Sequence, residues 1–384
     1  MSIVHIALVG GQTMPVYLAI RESDADEFIL IHSSDTKDKA LVLKKDIEET
    51  IDRPVKLVCM DPNDCFGAIS SFDDILKQFE NTKIEFNISS GTKPWSIAVT
   101  KLSAKYPNVQ LLYVGQNNLI YNYGEVSVHK LEPMSIEDIF MYSQTEVRPR
   151  QHVSIDDYTD EDQEFLSEIE KIRARCPKSF NAVTIPHSPS EQDALKNHKS
   201  GDIIDPETHS ELLWKRSADG KQSVKLCVMD KFFKYRKLEY TSPHALDMLA
   251  FSGWFEYKIA EALNSWKYCR EVWLNVLFLY KDKYPKNEID VIANTGGKLL
   301  FIECKTQIKE KTDIDKFASA VKNYGRLGAK PLFVTYEEMD QRTIEKCKTN
   351  DVAYFSVKGT ENPSHWKDAL FKKLDEIVNK NNVR

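Results

Sequence analysis

The sequence predicts an α/β protein with two domains, an N-terminal doubly wound parallel sheet followed by a second α/β domain. The chain has 384 residues, more than the ~150 typical of one domain, and its 42% hydrophobic content is ordinary for a soluble protein. Residues 1–130 alternate strand-like and helix-like segments, which is typical of a parallel sheet. From residue 253 a helix, a strand and a hairpin follow in order, and further strands alternate with helices to the end.

The N-terminal elements follow from short apolar runs separated by amphipathic segments. The predicted strands of the parallel sheet are residues 5–9, 28–32, 55–60, 84–88 and 109–114. The predicted helices start at Pro15 and then cover residues 39–51, 72–79 and 94–105. A hairpin over 119–123 and 125–129 closes this domain, and residues 131–142 are expected to be partly helical.

Two strand-to-helix loops carry the same pattern of Gly, then Thr, then Pro. Glycine lets the backbone approach a ligand, threonine caps the helix, and proline begins it, which leaves N–H groups for an anion. Open α/β sheets bind ligands at these carboxyl ends of strands. The candidate ligand-binding residues are Gly10, Gly11, Gln12, Thr13, Met14, Ser89, Ser90, Gly91, Thr92 and Lys93. Plain helix capping is the alternative explanation for the threonines.

Asp35 and Thr36 follow the second predicted strand and form a third candidate loop at the same edge. Asp35 has the alternative role of capping the next helix. No G-x-G-x-x-G pattern follows the first strand, which argues against an ordinary NAD-dependent dehydrogenase.

Composition narrows the remaining classes. The net charge of −6 argues against a protein that coats nucleic acid through bulk electrostatics, although a local groove can be basic. Seven cysteines without close spacing fit reduced thiols better than disulfides or a zinc site. The sequence has no leader-like start and no apolar run of the ~18 residues that span a bilayer, so we expect a cytoplasmic protein without a membrane segment.

Residues 143–164 are polar and acidic and are predicted to be the linker between domain 1–142 and domain 165–384. Within the second domain, a helix is expected around 164–175 and strands near 211–215 and 223–229. The role of residues 176–245 cannot be read from their composition.

The most informative stretch is a predicted hairpin over 287–305, which turns through two glycines. Side chains alternate faces along a strand, so Glu303 and Lys305 project together, Cys304 points the other way, and Asp290 joins them from the neighbouring strand. Hard oxygen ligands of this kind hold Mg²⁺ or Mn²⁺, and an adjacent cation steadies charge on an attacked phosphate. The pattern predicts a metal-dependent phosphodiesterase with Asp290, Glu303 and Cys304 at the metal.

A structural ion pair on an edge strand is the alternative. The strand before Glu303 is almost wholly apolar, however, which predicts a central strand where buried charges are costly unless they coordinate something. Residues 281–330 contain eleven Lys or Arg and seven Asp or Glu, so the surroundings are basic. Asp290 with Glu303-Cys304-Lys305 resembles the signature of the PD-(D/E)xK restriction-endonuclease superfamily, although Ile289 stands where its proline would be.

An amphipathic helix over 253–263 precedes the strand 272–278. In that superfamily an acid of the first helix often reaches the metal, and Glu256 is the matching position. Glu256 is therefore a fourth catalytic candidate, with a solvated surface acid as the equal alternative. Downstream, helices over 313–327 and 339–350, strands 331–335 and 353–356, and a closing helix from Ser364 complete the domain.

The loop Ser89-Ser90-Gly91-Thr92-Lys93-Pro94 and the block 253–305 together make the chain similar to the CARF-domain nucleases of type III CRISPR defence, the Card and Can group. The resemblance implies a Rossmann-like CARF sensor before a restriction-endonuclease-like domain. It further implies a homodimer that binds a cyclic oligoadenylate, most often the tetra-adenylate, and then cleaves single- or double-stranded DNA or single-stranded RNA with Mn²⁺ or Mg²⁺.

Two other functions stay open at this stage. One is a ligand-responsive regulator without catalysis, against which the complete set of Asp290, Glu303 and Lys305 argues. The other is a constitutive restriction or repair nuclease that needs no activator.

Overall fold

The computed structural model of the chain describes residues 2–115, 119–142, 149–280, 284–296, 298–308, 312–325 and 329–379. The chain divides into two compact units, Met1–Arg148 and Pro149–Arg384. The first is a Rossmann-like α/β unit, and the second is also α/β, as the sequence predicts.

The N-terminal unit contains seven strands and five helices within its described residues. The strands are β1 (Ile3–Val9), β2 (Glu27–His32), β3 (Val55–Cys59), β4 (Lys83–Asn87), β5 (Val109–Val114), β6 (Leu119–Asn122) and β7 (Ser127–Lys130). The helices are α1 (Met14–Arg21), α2 (Lys37–Asp46), α3 (Cys65–Lys77), α4 (Lys93–Ser103) and α5 (Ile136–Tyr142). All five predicted parallel strands are confirmed.

These strands form one sheet in the order β3-β2-β1-β4-β5-β6-β7. β1 to β5 run parallel, and β6 and β7 add an antiparallel hairpin at one edge. Buried apolar residues cover both faces of the sheet, as expected for strands flanked by helices. Because β1 lies between β2 and β4, the loops that follow these three strands meet at one edge.

Two helix boundaries differ from the sequence prediction. α3 begins at Cys65 rather than near Phe72, because the carboxylate of Asp64 accepts a hydrogen bond from the Gly67 N–H at 2.8 Å and so caps an earlier first turn. α2 ends at Asp46, and the predicted remainder is a π-helical turn over Ile47–Ile51.

The second unit opens with elements that lead into a small antiparallel sheet. They are β8 (Pro149–Ser154), α6 (Asp160–Arg175), α7 (Pro177–Thr184), α8 (Pro189–Asn197), β9 (Ser200–Asp205), β10 (Ser210–Arg216), β11 (Gln222–Met229), β12 (Tyr235–Ser242) and α9 (Ala245–Leu249). The four strands pair in the order β12-β11-β10-β9. The sequence predicts β10 and β11 but misses β9 and β12.

Residues 149–157 and 160–164 of the predicted linker are regular structure, which corrects that prediction, while residues 143–148 lie outside the described ranges. β8 pairs with a strand far along the chain, and α6 begins at Asp160. The acids that suggest a linker are helix-start residues: Ser154 with Asp157 and Thr159 with Asp162 form two capping boxes. Residues that cap a helix with their side chains must be polar. A polar, acidic composition therefore does not distinguish these helix starts from a linker.

The C-terminal part of the unit completes a six-stranded sheet. Its elements are α10 (Gly253–Asn264), β13 (Glu271–Tyr280), β14 (Tyr284–Asn294), β15 (Leu299–Lys305), α11 (Thr312–Tyr324), β16 (Lys330–Thr335), α12 (Gln341–Thr349), β17 (Ala353–Ser356) and α13 (Trp366–Asn379). The strand order is β17-β16-β15-β14-β13-β8. β15 is therefore central, antiparallel to β14 and parallel to β16, as its apolar sequence predicts.

None of the helices in the described ranges combines the length and the apolar character that crossing a bilayer requires.

Candidate functional site

The charged residues of the predicted hairpin meet at the end of the β14–β15 pair. The register places Val291 opposite Ile302, so Asp290 follows beside Glu303. The Lys305 Nζ lies 2.6 Å from Glu303 Oε1 and 3.8 Å from Asp290 Oδ2. The side chains of Asp290 and Glu303 are only 14% and 15% exposed, which makes the cluster a partly buried one rather than a surface pair.

Asp290 is also tied to the backbone of β15. Its Oδ2 accepts a hydrogen bond of 2.7 Å from the Cys304 N–H, just beyond the last regular pair of the two strands. The carboxylate thus takes the place of a strand carbonyl where β14 and β15 separate. A single residue holds the strand ends together and presents an anionic oxygen to Lys305.

The Cys304 side chain points away from the charged cluster. It is 4% exposed and lies in the buried apolar core with Leu300 and Ile302, on the opposite face from Glu303 and Lys305. Burial raises the pKa of the Cys304 thiol well above its ordinary value, so the thiolate that a metal ligand needs is disfavoured. Only the main-chain groups of Cys304 are left to serve a metal.

The electrostatics of the cluster are those of crowded, partly buried charges. Burial raises the pKa of Glu303 to about 7, with Asp290 adding to the effect. Burial likewise raises the pKa of Asp290, although Lys305 and the Cys304 N–H act in the opposite direction. Burial alone lowers the pKa of Lys305, but the two carboxylates outweigh it and leave this pKa above its ordinary value. Lys305 is therefore a permanent cation beside carboxyls that bind protons readily.

Glu256 lies in the first turn of α10 and is half-buried rather than a solvated surface acid. Burial, followed by the charge of Asp290, raises the pKa of Glu256 well above its ordinary value. The structure thus places Glu256 within electrostatic reach of the cluster, as the sequence suggests.

Three further residues surround this cluster, and the sequence analysis missed them. Glu288 is exposed, yet partial burial and then Asp290 raise its pKa, while Lys196 of α8 acts in the opposite direction. Asp313, in the first turn of α11, adds to the raised pKa of Glu303. The alternation of side chains along a strand could have predicted Glu288, which lies two residues before Asp290. Lys196 and Asp313 lie near the cluster only because of tertiary packing, which no local pattern predicts.

The donor chemistry of the cluster fits a hard divalent cation. Within the described ranges, no three His, Cys, Asp or Glu side chains are grouped to hold a metal ion. Asp290 and Glu303, which both lie beside Lys305, offer two carboxylates. Mg²⁺ commonly binds through one or two carboxylates, with water and phosphate oxygens as its other ligands, so this set is sufficient in kind.

The loops after β1 and β4 meet in the N-terminal unit, as their adjacent strands require. The Gly10 N–H donates to Ser90 Oγ at 3.0 Å, and the Ser90 hydroxyl donates to the Gln12 carbonyl at 2.7 Å. Ser89 accepts from the Val114 N–H at 2.7 Å and donates to Asn87 Oδ1 at 2.5 Å. Ser89 and Ser90 therefore fix the two loops to each other and to the sheet.

Glycine is required where these loops touch. A Cβ on Gly10 would lie 2.5 Å from the Gly91 nitrogen, and Gly91 itself has a φ of 82°. The first position has no room for a side chain, and the second has a backbone conformation that other residues rarely adopt.

The capping role expected of the two threonines is wrong. Thr13 and Thr92 occupy the N-cap positions of α1 and α4, but neither makes a side-chain capping hydrogen bond. Thr13 Oγ1 donates to the Tyr142 carbonyl at 2.9 Å, and Thr92 Oγ1 donates to the Pro62 carbonyl at 3.2 Å. Both hydroxyls instead anchor the loops to neighbouring chain segments.

Of the remaining candidate ligand-binding residues, some hold the loops in place through hydrogen bonds and others are exposed to solvent. Thr36 donates to the Val9 carbonyl at 2.9 Å and accepts from the Ser33 N–H, which secures the third loop beside β1. Asp35 is exposed and does not cap α2. Gly11, Gln12 and Lys93 are exposed at this edge, and Met14 is half-buried. Lys39, which the sequence analysis missed, donates to the Gly11 carbonyl at 3.0 Å.

Family models match two segments of the chain. Residues 4–138 match the Card1 CARF domain, and residues 252–355 match a domain of unknown function, DUF4143. No curated protein sequence matches the chain.

Solved structures with the same overall fold cover almost the whole chain. Can2 from Sulfobacillus thermosulfidooxidans, in complex with cyclic tetra-adenylate, is 17% identical with a TM-score of 0.63, over 98% of this chain and 99% of that one. Protein VC1899 from Vibrio cholerae is 14% identical with a TM-score of 0.67, over 97% and 98%. A type III CRISPR defence DNA nuclease activated by cyclic oligoadenylate is 15% identical with a TM-score of 0.57, over 99% of this chain and 52% of that one. At these identities the likeness establishes the fold.

Proposed function

We propose that this chain is a nuclease effector of type III CRISPR defence, activated by a cyclic oligoadenylate and dependent on Mg²⁺ or Mn²⁺. One observation carries the proposal: Lys305 lies 2.6 Å from Glu303 and 3.8 Å from Asp290 at the end of a central strand. The Card1 CARF match over residues 4–138 supports the sensor half. Can2, which has this fold, binds cyclic tetra-adenylate, and the type III CRISPR defence nuclease of the same fold is activated by cyclic oligoadenylate. These two likenesses support the pairing of such a sensor with cleavage.

In this proposal Asp290 and Glu303 hold the divalent cation through their carboxylates. The cation supplies Lewis-acid activation of water and of the phosphate when bound. Lys305 remains protonated and stabilises negative charge that develops on the attacked phosphate. Glu256 lies close enough to the cluster for the charge of Asp290 to raise its pKa. The Cys304 N–H keeps the Asp290 carboxylate in one orientation.

The proposed activator site is the edge formed by the loops after β1, β2 and β4. Its exposed members are Gly11, Gln12 and Lys93, and the hydroxyl network of Ser89 and Ser90 holds the loops in place. A cyclic tetra-adenylate carries four phosphates. Two copies of this edge in a homodimer would each present one set of donors to a two-fold symmetric ligand.

The deciding experiment crosses nucleic acids with activators. Single-stranded DNA, supercoiled DNA and single-stranded RNA are incubated with cyclic oligoadenylates of several ring sizes, in Mn²⁺ and in Mg²⁺. We expect cleavage only when a metal and one activator, most simply the tetra-adenylate, are both present.

Two outcomes would replace this proposal. Binding of nucleic acid without cleavage in any metal would identify a ligand-responsive regulator. Equal cleavage with and without activator would identify a constitutive restriction or repair nuclease, and the sensor assignment would fail.

A further inference from the structure

The turn between β11 and β12 exposes large aromatic side chains to solvent instead of packing them in a hydrophobic core. Phe232 is 69% exposed, Phe233 is 83% exposed, and Tyr235 is 55% exposed. We call residues 230–235 the aromatic turn. Burying such side chains is normally favourable, so three of them standing together in solvent mark a surface for an interaction.

The aromatic turn is a built structure. Asp230, only 7% exposed, accepts hydrogen bonds from the Phe232 N–H at 2.9 Å and the Lys234 N–H at 3.0 Å. Its second oxygen accepts from Arg236 Nη2 at 2.9 Å and Nε at 3.2 Å. One buried carboxylate therefore fixes the backbone that displays the two phenylalanines, which lowers the ordering cost of binding through them.

Phe233 has a φ of 58°, in the left-handed region that favours Gly or Asn. A phenylalanine is an unfavourable choice there for the fold alone. The presence of an aromatic ring at a strained, solvent-exposed position is consistent with a role for the ring itself.

The segment around the aromatic turn is positively charged, which favours a negatively charged partner. Residues 229–238 contain four basic residues, Lys231, Lys234, Arg236 and Lys237, and one acid, Asp230, which Arg236 neutralises. The Lys231 Nζ lies 5.2 Å from the centre of the Phe232 ring. Aromatic rings interleaved with cations are the usual means of binding a single-stranded nucleic acid, with bases stacked on rings and phosphates near lysines.

The aromatic turn lies at the far end of its hairpin from the carboxylate cluster. At the near end, Gln222 donates to Asp247 at 2.9 Å, and Asp247 contributes to the raised pKa of Glu288. Met229 lies seven residue steps along β11 from Gln222, which at ~3.3 Å per step is roughly 23 Å. A strand of nucleic acid that contacts both regions must be several nucleotides long.

We propose that the aromatic turn is a second contact for the nucleic acid substrate, which stacks unpaired bases on Phe232 and Phe233 and holds phosphates with Lys231 and Lys234. The inference rests on the proposed function and names the substrate class as single-stranded. Paired bases in a duplex have no free faces for these rings.

The test measures binding separately from cleavage. Fluorescein-labelled 30-nucleotide single strands of DNA and RNA, and a duplex of the same length, are titrated in EDTA by anisotropy, with and without cyclic tetra-adenylate. The variant is Phe232→Ser with Phe233→Gly, which removes both rings and relaxes the left-handed position. The control is Ile204→Ser, an exposed apolar side chain of the same sheet.

We expect the double variant to bind single strands at least about tenfold more weakly, with a much smaller change on the duplex and none in the control. Phe232→Tyr should keep wild-type binding. Lys231→Ser with Lys234→Ser should lower the slope of log affinity against log salt by about 1 to 2.

Unchanged single-strand binding by a folded double variant would overturn the inference, and so would an equal loss on the duplex. If binding to the duplex is lost equally, sedimentation gives the reason. A wild type that is dimeric and a double variant that is monomeric would identify the aromatic turn as a contact between two copies of this chain instead. The assay contains no catalytic metal. A chain that binds through this turn but never cuts would thus refute the proposed nuclease activity while leaving this inference intact.

Discussion

The two candidate sites of this chain are built in opposite ways. The carboxylate cluster concentrates Asp290, Glu303 and Lys305 in a partly buried place, where burial raises the pKa of both acids. The ligand loops of the N-terminal unit consist of glycines and hydroxyls, with Lys93 as an exposed cation. The constraint on the first site is electrostatic, whereas the constraint on the second lies in a backbone geometry that requires glycine, such as the φ of 82° at Gly91.

In the proposed function, this difference separates a site for chemistry from a site for recognition. Closely spaced carboxylates disfavour each other's ionisation, and a bound divalent cation compensates their charge. A ligand that must be bound and released needs directional donors on a preformed frame. Each of the following experiments should therefore affect one region and spare the other.

The largest effect is expected from removing charge at the cluster. Lys305→Ala or Glu303→Ala should lower the cleavage rate by about 100-fold or more, since each loses a group that acts at the metal-bound phosphate, and should leave activator affinity unchanged. Lys348→Ala, an exposed lysine of α12, is the control. Cleavage at the wild-type rate in either cluster variant would contradict the assignment.

The second effect is on stability. The pKa of Glu303 is raised from 4.5 to about 7, so the folded chain holds a proton that the unfolded chain has released. This contribution is present at low pH and is lost as pH rises through 7. Without metal, the free energy of unfolding should fall by up to about 3 kcal/mol between pH 5 and pH 8.

Urea unfolding in EDTA at several pH values measures this slope. The Glu303→Gln variant cannot ionise at this position, so its free energy of unfolding should depend less on pH. In the wild type, added Mn²⁺ should reduce the loss of stability at high pH. A slope that is identical in wild type and variant would show that the Glu303 carboxyl is not the titrating group.

The third effect is on metal affinity alone. Asp290→Asn should weaken Mn²⁺ binding by about tenfold or more, because an amide is a poorer ligand for a hard cation than a carboxylate. The amide oxygen can still accept from the Cys304 N–H, so the fold should survive. Calorimetric titration without nucleic acid tests this, and an unchanged titration would remove Asp290 from the metal.

The smallest effect is expected at the loops. Lys93→Glu should weaken cyclic tetra-adenylate binding on the order of tenfold, because it places an anion against phosphate at an exposed position. Lys101→Glu, at the other end of α4, is the matched control. Calorimetry gives the affinity, and wild-type affinity in Lys93→Glu would show that the activator binds elsewhere.

The local sequence pattern was sufficient to predict those features that depend on a few neighbouring residues. Alternation along β15 predicts that Glu303 and Lys305 share a face, and the short turn after Asn294 brings Asp290 beside them. The five parallel strands follow from apolar runs in the same way. These predictions depend on backbone periodicity, which neighbouring residues determine.

Local pattern failed where a partner lies far along the chain. β8 is stabilised by pairing with β13, more than a hundred residues later, so residues 149–154 read as linker. Lys196 and Asp313 reach the cluster only through packing. Thr13 lacks its expected capping bond because its backbone is helical, with φ −97° and ψ −23°, rather than extended, and its hydroxyl is oriented towards the Tyr142 carbonyl.

The contact between Gly10 and Gly91 also constrains how this protein can diverge. Because a Cβ on Gly10 would lie 2.5 Å from the Gly91 nitrogen, neither loop can change its backbone path without a matching change in the other. The two positions are distant in sequence but are constrained together by this close approach. Drift in this domain should therefore accumulate in the exposed side chains of the loops, and a new ligand preference can evolve while the glycine pair persists.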